Sequence, residues 1–390
     1  MANWLGLTQA QLSRIEKGAA PDQISKLIRW AEILDVPREL LWFELPGIQN
    51  EGVVPGGLHD AVALARWLIA DGAGPLPSSR CPDDLQQVGQ ALADAHRYFD
   101  GNVVEFFRQQ LARCKAADGS LGPSEALPLT LALIGAIRQH VRDVRPTIRQ
   151  QLLALGADGA EFAGSLYRDL HDPVTATFLY DRSMEWAQAA GSLPMQGYVL
   201  LKKSQMAYET GDIGTLRALA RAADEGPWQL PARIKAEVVQ QEALGRAMLG
   251  EPFTAVKHKL DVAEQMLSTA AVTTGEPLIS YFDQDTFRLR AAVCHTEAGR
   301  PQIAAQLFGQ VLTSGSLSRR DTGFFGARQA KALALSGEPD EAARVAVRSV
   351  GVARETRSER TINVVVEVVR ALDCWRHRSM VRQLSDVLQP

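Results

Sequence analysis

The hydrophobic and polar positions from about residue 83 to the end of the chain follow a helical period. Apolar segments of 12 to 20 residues alternate there with short breaks rich in glycine and proline. A strand would show strict alternation of apolar and polar residues over four to eight positions, and no run does so convincingly. The pattern therefore predicts an all-α domain over residues 83–390.

A degenerate repeat is visible within this helical segment. A small residue is followed by glycine seven positions later and by a small or apolar residue five positions after that. The four instances are Ser204/Gly211/Leu216, Ala243/Gly250/Ala255, Ala292/Gly299/Ala304 and Ala330/Gly337/Ala342, and a weaker fifth is Ser165/Asp172/Thr177. Successive copies begin 39, 39, 49 and 38 residues apart.

The spacing of these markers has a physical sense. The small residues let two antiparallel helices approach closely, and the glycine ends the first helix of the pair. The pattern resembles tetratricopeptide repeats, although its period is longer than their usual length of about 34 residues. The resemblance implies an α-solenoid in which each helix pair buries its apolar face against its neighbours. A plain helical bundle is the alternative, and the regular spacing favours the solenoid.

A solenoid has a concave face that can bind a peptide or a partner helix. The register of the repeat predicts which positions of the first helices line that face. The candidates are Tyr198, Gln205, Tyr208, Gln240, Thr286, Phe324 and Lys331. The segment YDRSMEWA at residues 180–187 also resembles the helical sensor domains of bacterial regulators, and this likeness extends over most of residues 95–250.

The first forty-five residues carry a different pattern. Residues 7–18 read LTQAQLSRIEKG, a short helix in which Thr8 is the N-cap, Gln11 completes a capping box and Gly18 provides the stop. Leu12 and Ile15 share the face that should pack on a core. The opposite face is polar and could enter a major groove, although an ordinary capped surface helix would have the same composition. Its candidate DNA-binding residues are Thr8, Gln9, Ala10, Ser13, Arg14 and Lys17.

This segment resembles the turn and recognition helix of the Cro/C1 (xenobiotic response element) helix-turn-helix family. The matching positions are the turn glycine Gly6, the opening Thr8-Gln9, and the closing segment IEKG at residues 15–18. A second helix beginning at Pro21 and a DVP ending at residues 35–37 also fit. The resemblance implies that Gln9, Ala10 and Arg14 contact base edges, with Thr8, Ser13 and Lys17 at the backbone.

One departure from the family pattern concerns the start of the domain. Only residues 1–5 precede Gly6, so roughly twenty-five residues of the usual fold have no counterpart. We expect the helix-turn-helix over residues 1–45 to be incomplete and unstable alone. Either the start codon lies upstream or the domain is degraded. Residues 46–82, which contain two Pro/Gly-rich stretches, are predicted to be a linker with one short helix.

Composition adds few constraints on function. The net charge is −3, so a DNA-binding domain must act through a local surface. The four cysteines form no CxxC pair, and we expect reduced thiols. No signal peptide or apolar stretch of eighteen residues is evident, so we expect a cytoplasmic protein with no membrane partner. Arginines in the last fifty residues are interpreted as a solvated face: Arg344, Arg348, Arg354, Arg357, Arg360, Arg370, Arg376, Arg378 and Arg382.

No motif supports catalysis. The seven histidines show no metal-ligand spacing, and neither a phosphate-binding loop nor a nucleophile elbow occurs. We therefore expect neither an enzyme nor a cofactor or metal site. The leading interpretation is a transcriptional regulator, a homodimer on double-stranded DNA, whose repeat domain dimerises or senses a peptide or other ligand. The alternative is a repeat scaffold for protein interaction with a vestigial helix-turn-helix.

Overall fold

A computed structural model of the chain describes residues 99–270 and 282–388. These residues all lie within the predicted repeat domain. The predicted helix-turn-helix, with its six candidate DNA-binding residues, and the predicted linker lie outside the described residues.

The described part of the chain is all-α, as the sequence predicts, and contains no strand. Its helices run, in chain order, α1 Gly101–Leu121, α2 Pro123–His140, α3 Pro146–Asp169, α4 Pro173–Ala189, α5 Leu193–Glu209, α6 Ile213–Glu225, α7 Ala232–Met248, α8 Phe253–Thr269, α9 Gln284–Glu297, α10 Pro301–Leu312, α11 Arg319–Leu335, α12 Pro339–Thr356, α13 Glu359–Ala371 and α14 Ser379–Leu388. A short 3₁₀ turn, Asp373–Trp375, separates the last two.

Neighbouring helices pack as pairs, so that the architecture is a helical repeat solenoid. The most extensive contacts join α3 to α4, α5 to α6, α7 to α8, α9 to α10 and α11 to α12. Small residues lie where the paired helices meet, and Ser204, Ala243, Ala292 and Ala330 are all fully buried. Each predicted repeat marker therefore occupies a position where a larger side chain would separate two helices.

The glycines of the repeat end the first helix of each pair in the left-handed conformation. Gly211, Gly250, Gly299 and Gly337 have φ angles of 72°, 70°, 71° and 82°. The amide of the residue after each glycine donates to a carbonyl five residues back, as Asp212 does to Ala207 at 2.9 Å. This is the long bond of a Schellman motif, which closes the helix and turns the chain back.

The weaker fifth copy is displaced by one residue from the predicted register. The left-handed residue there is His171, with a φ angle of 61°, and Asp172 instead caps the next helix through a bond from the Thr175 amide. The corresponding small residues are Gly164, against the ring of Tyr180, and the fully buried Ala176. Because histidine takes the place of glycine at this turn, the copy cannot be aligned by the position of a glycine.

The solenoid curves until its first helices contact its last. α1 contacts α11 and α12, and α3 contacts α13. At this junction Gly122 has a φ angle of 90°, and a Cβ there would lie 1.9 Å from the carbonyl oxygen of Thr356. The Arg320 guanidinium of α11 also pairs with the Asp118 carboxylate of α1. We call these contacts of α1 and α3 with α11, α12 and α13 the closing seam.

Candidate ligand-binding cavity

A cavity of about 420 Å³ lies on the inner side of the closed solenoid. Its described lining residues come from α1, α3, α5, α7, α9, α11 and α13, together with Leu317. These helices are the first members of their pairs, and their regular succession brings one face of each to the same space. The volume falls within the range of about 300–1,000 Å³ that is typical of small-ligand pockets.

The structure brings six of the seven sequence-predicted groove residues together in this cavity. They are Tyr198, Gln205, Tyr208, Gln240, Thr286 and Phe324. Lys331 is not among the lining residues, and its ammonium group is held instead by Glu367 at 2.8 Å and Glu297 at 3.9 Å. Their placement follows the predicted register, whereas their binding of a peptide stays a prediction.

Most of the cavity's charged residues were missed by the sequence analysis. Seven basic and seven acidic side chains are among the lining residues: Lys115, Arg168, Lys202, Arg290, Arg320, Arg328 and Arg360, and Asp118, Asp158, Glu161, Asp169, Glu209, Glu237 and Asp321. One signal was present in α3, where Glu161 interrupts a run of apolar and small residues. A carboxylate at a core-facing position predicts a buried partner or a ligand.

The prediction of a solvated face was wrong for Arg360. Its side chain is 24% exposed and lines the cavity, where it pairs with Glu209 of α5. Sequence periodicity shows that Arg360 lies on a polar face of α13. It does not show that the curvature of the solenoid turns this face inward towards α3 and α5.

Tyr208 joins three of the inner helices. Its hydroxyl donates to Oε1 of Glu297 at 2.8 Å and accepts from Nη1 of Arg328 at 3.0 Å. The guanidinium of Arg328 lies 5.1 Å from the centroid of the tyrosine ring. Burial raises the pKa of Tyr208, so the neutral phenol is available to both partners. These bonds tie α5 to α9 and α11 across the cavity.

A second group of charges lies on α5, α7 and α9. Glu237 accepts from Nε2 of Gln205 at 2.7 Å and pairs with Nη2 of Arg290 at 3.0 Å. Nearby, the Nζ of Lys202 is 3.9 Å from Oε1 of Glu161. Burial lowers the pKa of Lys202 to about 8, although Glu161 opposes this shift. The four charged residues named here are two acidic and two basic side chains.

Three buried glutamines contribute polar atoms that have no hydrogen-bond partner in the described part of the chain. These atoms are Oε1 of Gln205, Oε1 of Gln240 and Nε2 of Gln241. Unmade hydrogen bonds of buried amides are costly, which makes such atoms suited to a ligand with amide groups. Apolar side chains complete the wall: Phe162, Leu244, Val293, Phe324 and Phe325.

Two classes of site find no support in the described residues. Within residues 99–270 and 282–388, no three His, Cys, Asp or Glu side chains are grouped so as to hold a metal ion. No helix over the same ranges is long and apolar enough to cross a membrane.

Cys294 is buried beside a partly exposed His295, and burial raises the pKa of the Cys294 thiol to about 12.

Comparison with known proteins adds no relative. The sequence matches no protein-family model and no curated protein. The functional interpretation therefore rests on the cavity and on the resemblance of residues 7–18 to the Cro/C1 recognition helix.

Proposed function

We propose that this protein is a DNA-binding transcriptional regulator whose helical repeat domain senses a peptide-like ligand in the central cavity. The sensing role is carried by one observation: Gln205, Gln240 and Gln241 line a cavity, and each has a buried amide atom without a partner in the described chain. Peptide-like ligands carry amide donors and acceptors that match such atoms, and the apolar walls accommodate side chains.

The DNA-binding role rests on the residues of the recognition helix. Gln9 and Arg14 are of the types that bind adenine and guanine bidentately, and Ala10 leaves room for a thymine methyl group. Thr8, Ser13 and Lys17 suit phosphate contacts. Two copies of the chain reading paired half-sites would give the usual symmetry of such regulators.

A mobility-shift assay on the promoter region of the protein's own gene tests the regulator role, with the chain extended upstream so that the helix-turn-helix is complete. We expect sequence-specific binding, with Arg14→Ala losing about 1–3 kcal/mol and relaxing base preference. Lys17→Ala should weaken binding to all sequences and reduce the salt dependence. Weak binding without base preference that disappears at moderate salt would instead support an interaction scaffold with a vestigial helix-turn-helix.

The sensing role has a separate assay. A pool of short peptides is incubated with the full chain, and bound species are recovered by size exclusion and identified by mass spectrometry. We expect enrichment that is reduced at least fivefold in the double variant Gln240→Leu/Gln241→Leu, because these side chains supply two of the three unpartnered amide atoms. Equal enrichment by the variant would argue against the cavity as the sensor.

A further inference from the structure

Three arginines from different helices meet around one glutamate in the cavity. Nε of Arg168 donates to Oε2 of Glu209 at 3.0 Å, and the guanidinium of Arg360 pairs with the other oxygen of the same carboxylate. Arg328 lies close enough to interact electrostatically with Glu209, and its Nη1 donates to Tyr208. We call Arg168, Arg328 and Arg360 the arginine cluster. It carries three positive charges against one directly bonded carboxylate.

The other carboxylates that face the cluster are engaged elsewhere. Glu297 is bonded to Tyr208 and lies near Lys331, and Glu367 pairs with Lys331. Asp169 interacts electrostatically with Arg360 but also with Arg320 of the closing seam. Within hydrogen-bond or ion-pair distance, the cluster therefore has one carboxylate, that of Glu209. In keeping with this, burial lowers the pKa of Arg360 to about 10, Arg168 lowers it further and Glu209 opposes the shift.

Two guanidinium groups of the cluster each contain a buried donor without an acceptor. The Nε atoms of Arg328 and Arg360 are buried and find no acceptor among the residues that the structure describes. Arg328 as a whole is only 7% exposed. A guanidinium cannot lose its charge at neutral pH, and a buried N–H without an acceptor costs about 1–3 kcal/mol. Arg328 and Arg360 thus each keep one hydrogen bond unmade.

Aromatic rings fix the orientation of these groups. The guanidinium carbon of Arg360 lies 3.9 Å from the ring centroid of Phe324, and that of Arg328 lies 5.4 Å from the same centroid. The ring of Tyr208 supports Arg328 from another side. Guanidinium groups held on rings lose little side-chain entropy when they bind, and they offer paired N–H groups to a planar acceptor.

We propose that the arginine cluster is an anion subsite of the cavity and that it binds the carboxylate of a short peptide-like ligand. The proposal rests on the ligand-sensing role and specifies its chemistry. A carboxylate matches the paired donors of a guanidinium, and the glutamines and apolar walls nearby suit the rest of such a ligand. Because the cluster joins α3 to α11 and α13, the bound carboxylate holds both sides of the closing seam together.

Hippurate and hippuramide provide a matched pair of probes. Both carry a benzoyl ring and an amide, and they differ only in whether the end is a carboxylate or a neutral amide. Binding to the full chain is measured by isothermal titration calorimetry at constant ionic strength. We expect hippurate to bind at least tenfold more tightly than hippuramide. Equal affinities, or no detectable binding of hippurate at millimolar concentrations, would overturn the proposal.

Substitutions in the cluster locate the bound carboxylate. We expect Arg328→Met and Arg360→Met each to weaken hippurate at least tenfold and to leave hippuramide within twofold. Arg328→Lys keeps the charge but loses the paired donors, so an intermediate loss is expected. The control Arg376→Met removes an arginine whose side chain is 81% exposed, and the affinity of this variant for hippurate should stay unchanged. Unchanged hippurate affinity in both methionine variants would contradict the assignment.

The proposal and the proposed function can fail separately. Hippurate discrimination in a chain that binds no DNA sequence specifically would support the anion subsite and reject the regulator. Specific DNA binding or peptide enrichment without discrimination between hippurate and hippuramide would reject the anion subsite alone. Folding of each variant is checked by circular dichroism, and the comparison of the two probes in the unchanged protein needs no variant.

Discussion

The interface inside a helix pair and the closing seam are filled by different chemistry. Between α11 and α12 the contact is made by small apolar residues such as Ala330 and Ala342, both fully buried. Across the seam the contacts include the Arg320–Asp118 ion pair and the electrostatic interaction of Asp169 with Arg360, with Gly122 allowing close approach of the backbone. The pairs depend on apolar burial, whereas the seam depends on charge and on one glycine.

This difference indicates which part of the domain can change its shape. Burial of apolar surface is insensitive to pH and ligand charge, so the helix pairs should persist as units. A seam of buried charges is costly unless every partner is present, and it responds to anything that supplies or removes a charge. The cavity lies against the seam, so a ligand there can influence closure.

The largest expected effect is in an apolar interface. Phe308 of α10 is fully buried and packs against Phe325. Phe308→Ala should lower the free energy of unfolding by about 3–5 kcal/mol, because it leaves a cavity in a close-packed core. Phe178→Ala, at a residue that is 60% exposed, serves as the control and should cost much less. Equal losses in chemical denaturation would show that apolar burial does not hold the array of helix pairs together.

A smaller effect with a different signature is expected at the seam. Gly122 has φ 90° and ψ 176°, a region occupied almost only by glycine, and a side chain would clash with Thr356. Gly122→Ala should destabilise by about 2–4 kcal/mol through backbone strain and overpacking. Hydrogen exchange should rise in α1 and at the end of α12, with α7 and α8 protected as before.

Gly211→Ala is the matched control for that experiment. Its φ of 72° also disfavours alanine, yet a Cβ there meets no described atom within 4 Å. It should cost about 1–2 kcal/mol, with faster exchange confined to the turn between α5 and α6. Faster exchange at the seam in this variant would mean that closure depends on general stability and not on contact at Gly122.

The smallest effect concerns the pH dependence of the seam. Burial raises the pKa of Asp118 to about 6 despite the pairing with Arg320, whereas the unfolded chain titrates at the ordinary value of 3.8. The folded protein therefore holds a proton that the unfolded chain releases. Stability from this group is present below pH 3.8 and is lost as the pH rises through about 6.

The variant Asp118→Asn tests whether this carboxyl group lowers the stability of the protein as the pH rises. Asparagine resembles the protonated carboxyl group and does not titrate, so between pH 4 and pH 7.5 the free energy of unfolding should fall by about 1–3 kcal/mol less in the variant than in the unchanged protein. The control Asp386→Asn makes the same charge change at an exposed position and should be nearly neutral at both values. The same pH dependence in both proteins would contradict the raised pKa of Asp118.

The helices and their pairing could be predicted from the sequence because their signals are local. The markers Ala243 and Gly250, for example, define a helix end and a close contact within one pair. The register of the repeat also predicted that Gln205 and Gln240 lie on the inner face of the solenoid. Asp172 was aligned one position too late because His171 takes the place of glycine, and Lys331 turned towards Glu297 and Glu367.

The charged part of the cavity could not be predicted in the same way. The meeting of Asp118 with Arg320 joins residues 202 positions apart. It depends on the summed curvature of the repeats, and a small rotation at each pair decides whether the ends meet. Arg360 therefore has an ordinary surface pattern in the sequence and a buried partner in the structure. Long-range closure, not local periodicity, determines which polar residues become functional candidates.

The proposed sensing role depends on closure of the solenoid around the cavity. An engineered disulfide across the seam tests whether the solenoid is closed. A Cβ at Gly119 would lie 3.2 Å from Cβ of Ser318, near the separation that a disulfide requires. Gly119→Cys/Ser318→Cys is oxidised in a Cys81→Ser/Cys374→Ser background, because Cys374 is exposed and Cys81 lies outside the described residues. The control pair places the second cysteine at Ser268, an exposed residue of α8.

Cross-linking is followed on non-reducing gels of the native and urea-unfolded protein. Closure predicts that the 119–318 pair oxidises rapidly and almost completely in the native state, much faster than the 119–268 pair, and that urea removes the difference. Oxidation of the 119–318 pair at the rate of the control in the native protein would show that the seam is open and would contradict the account.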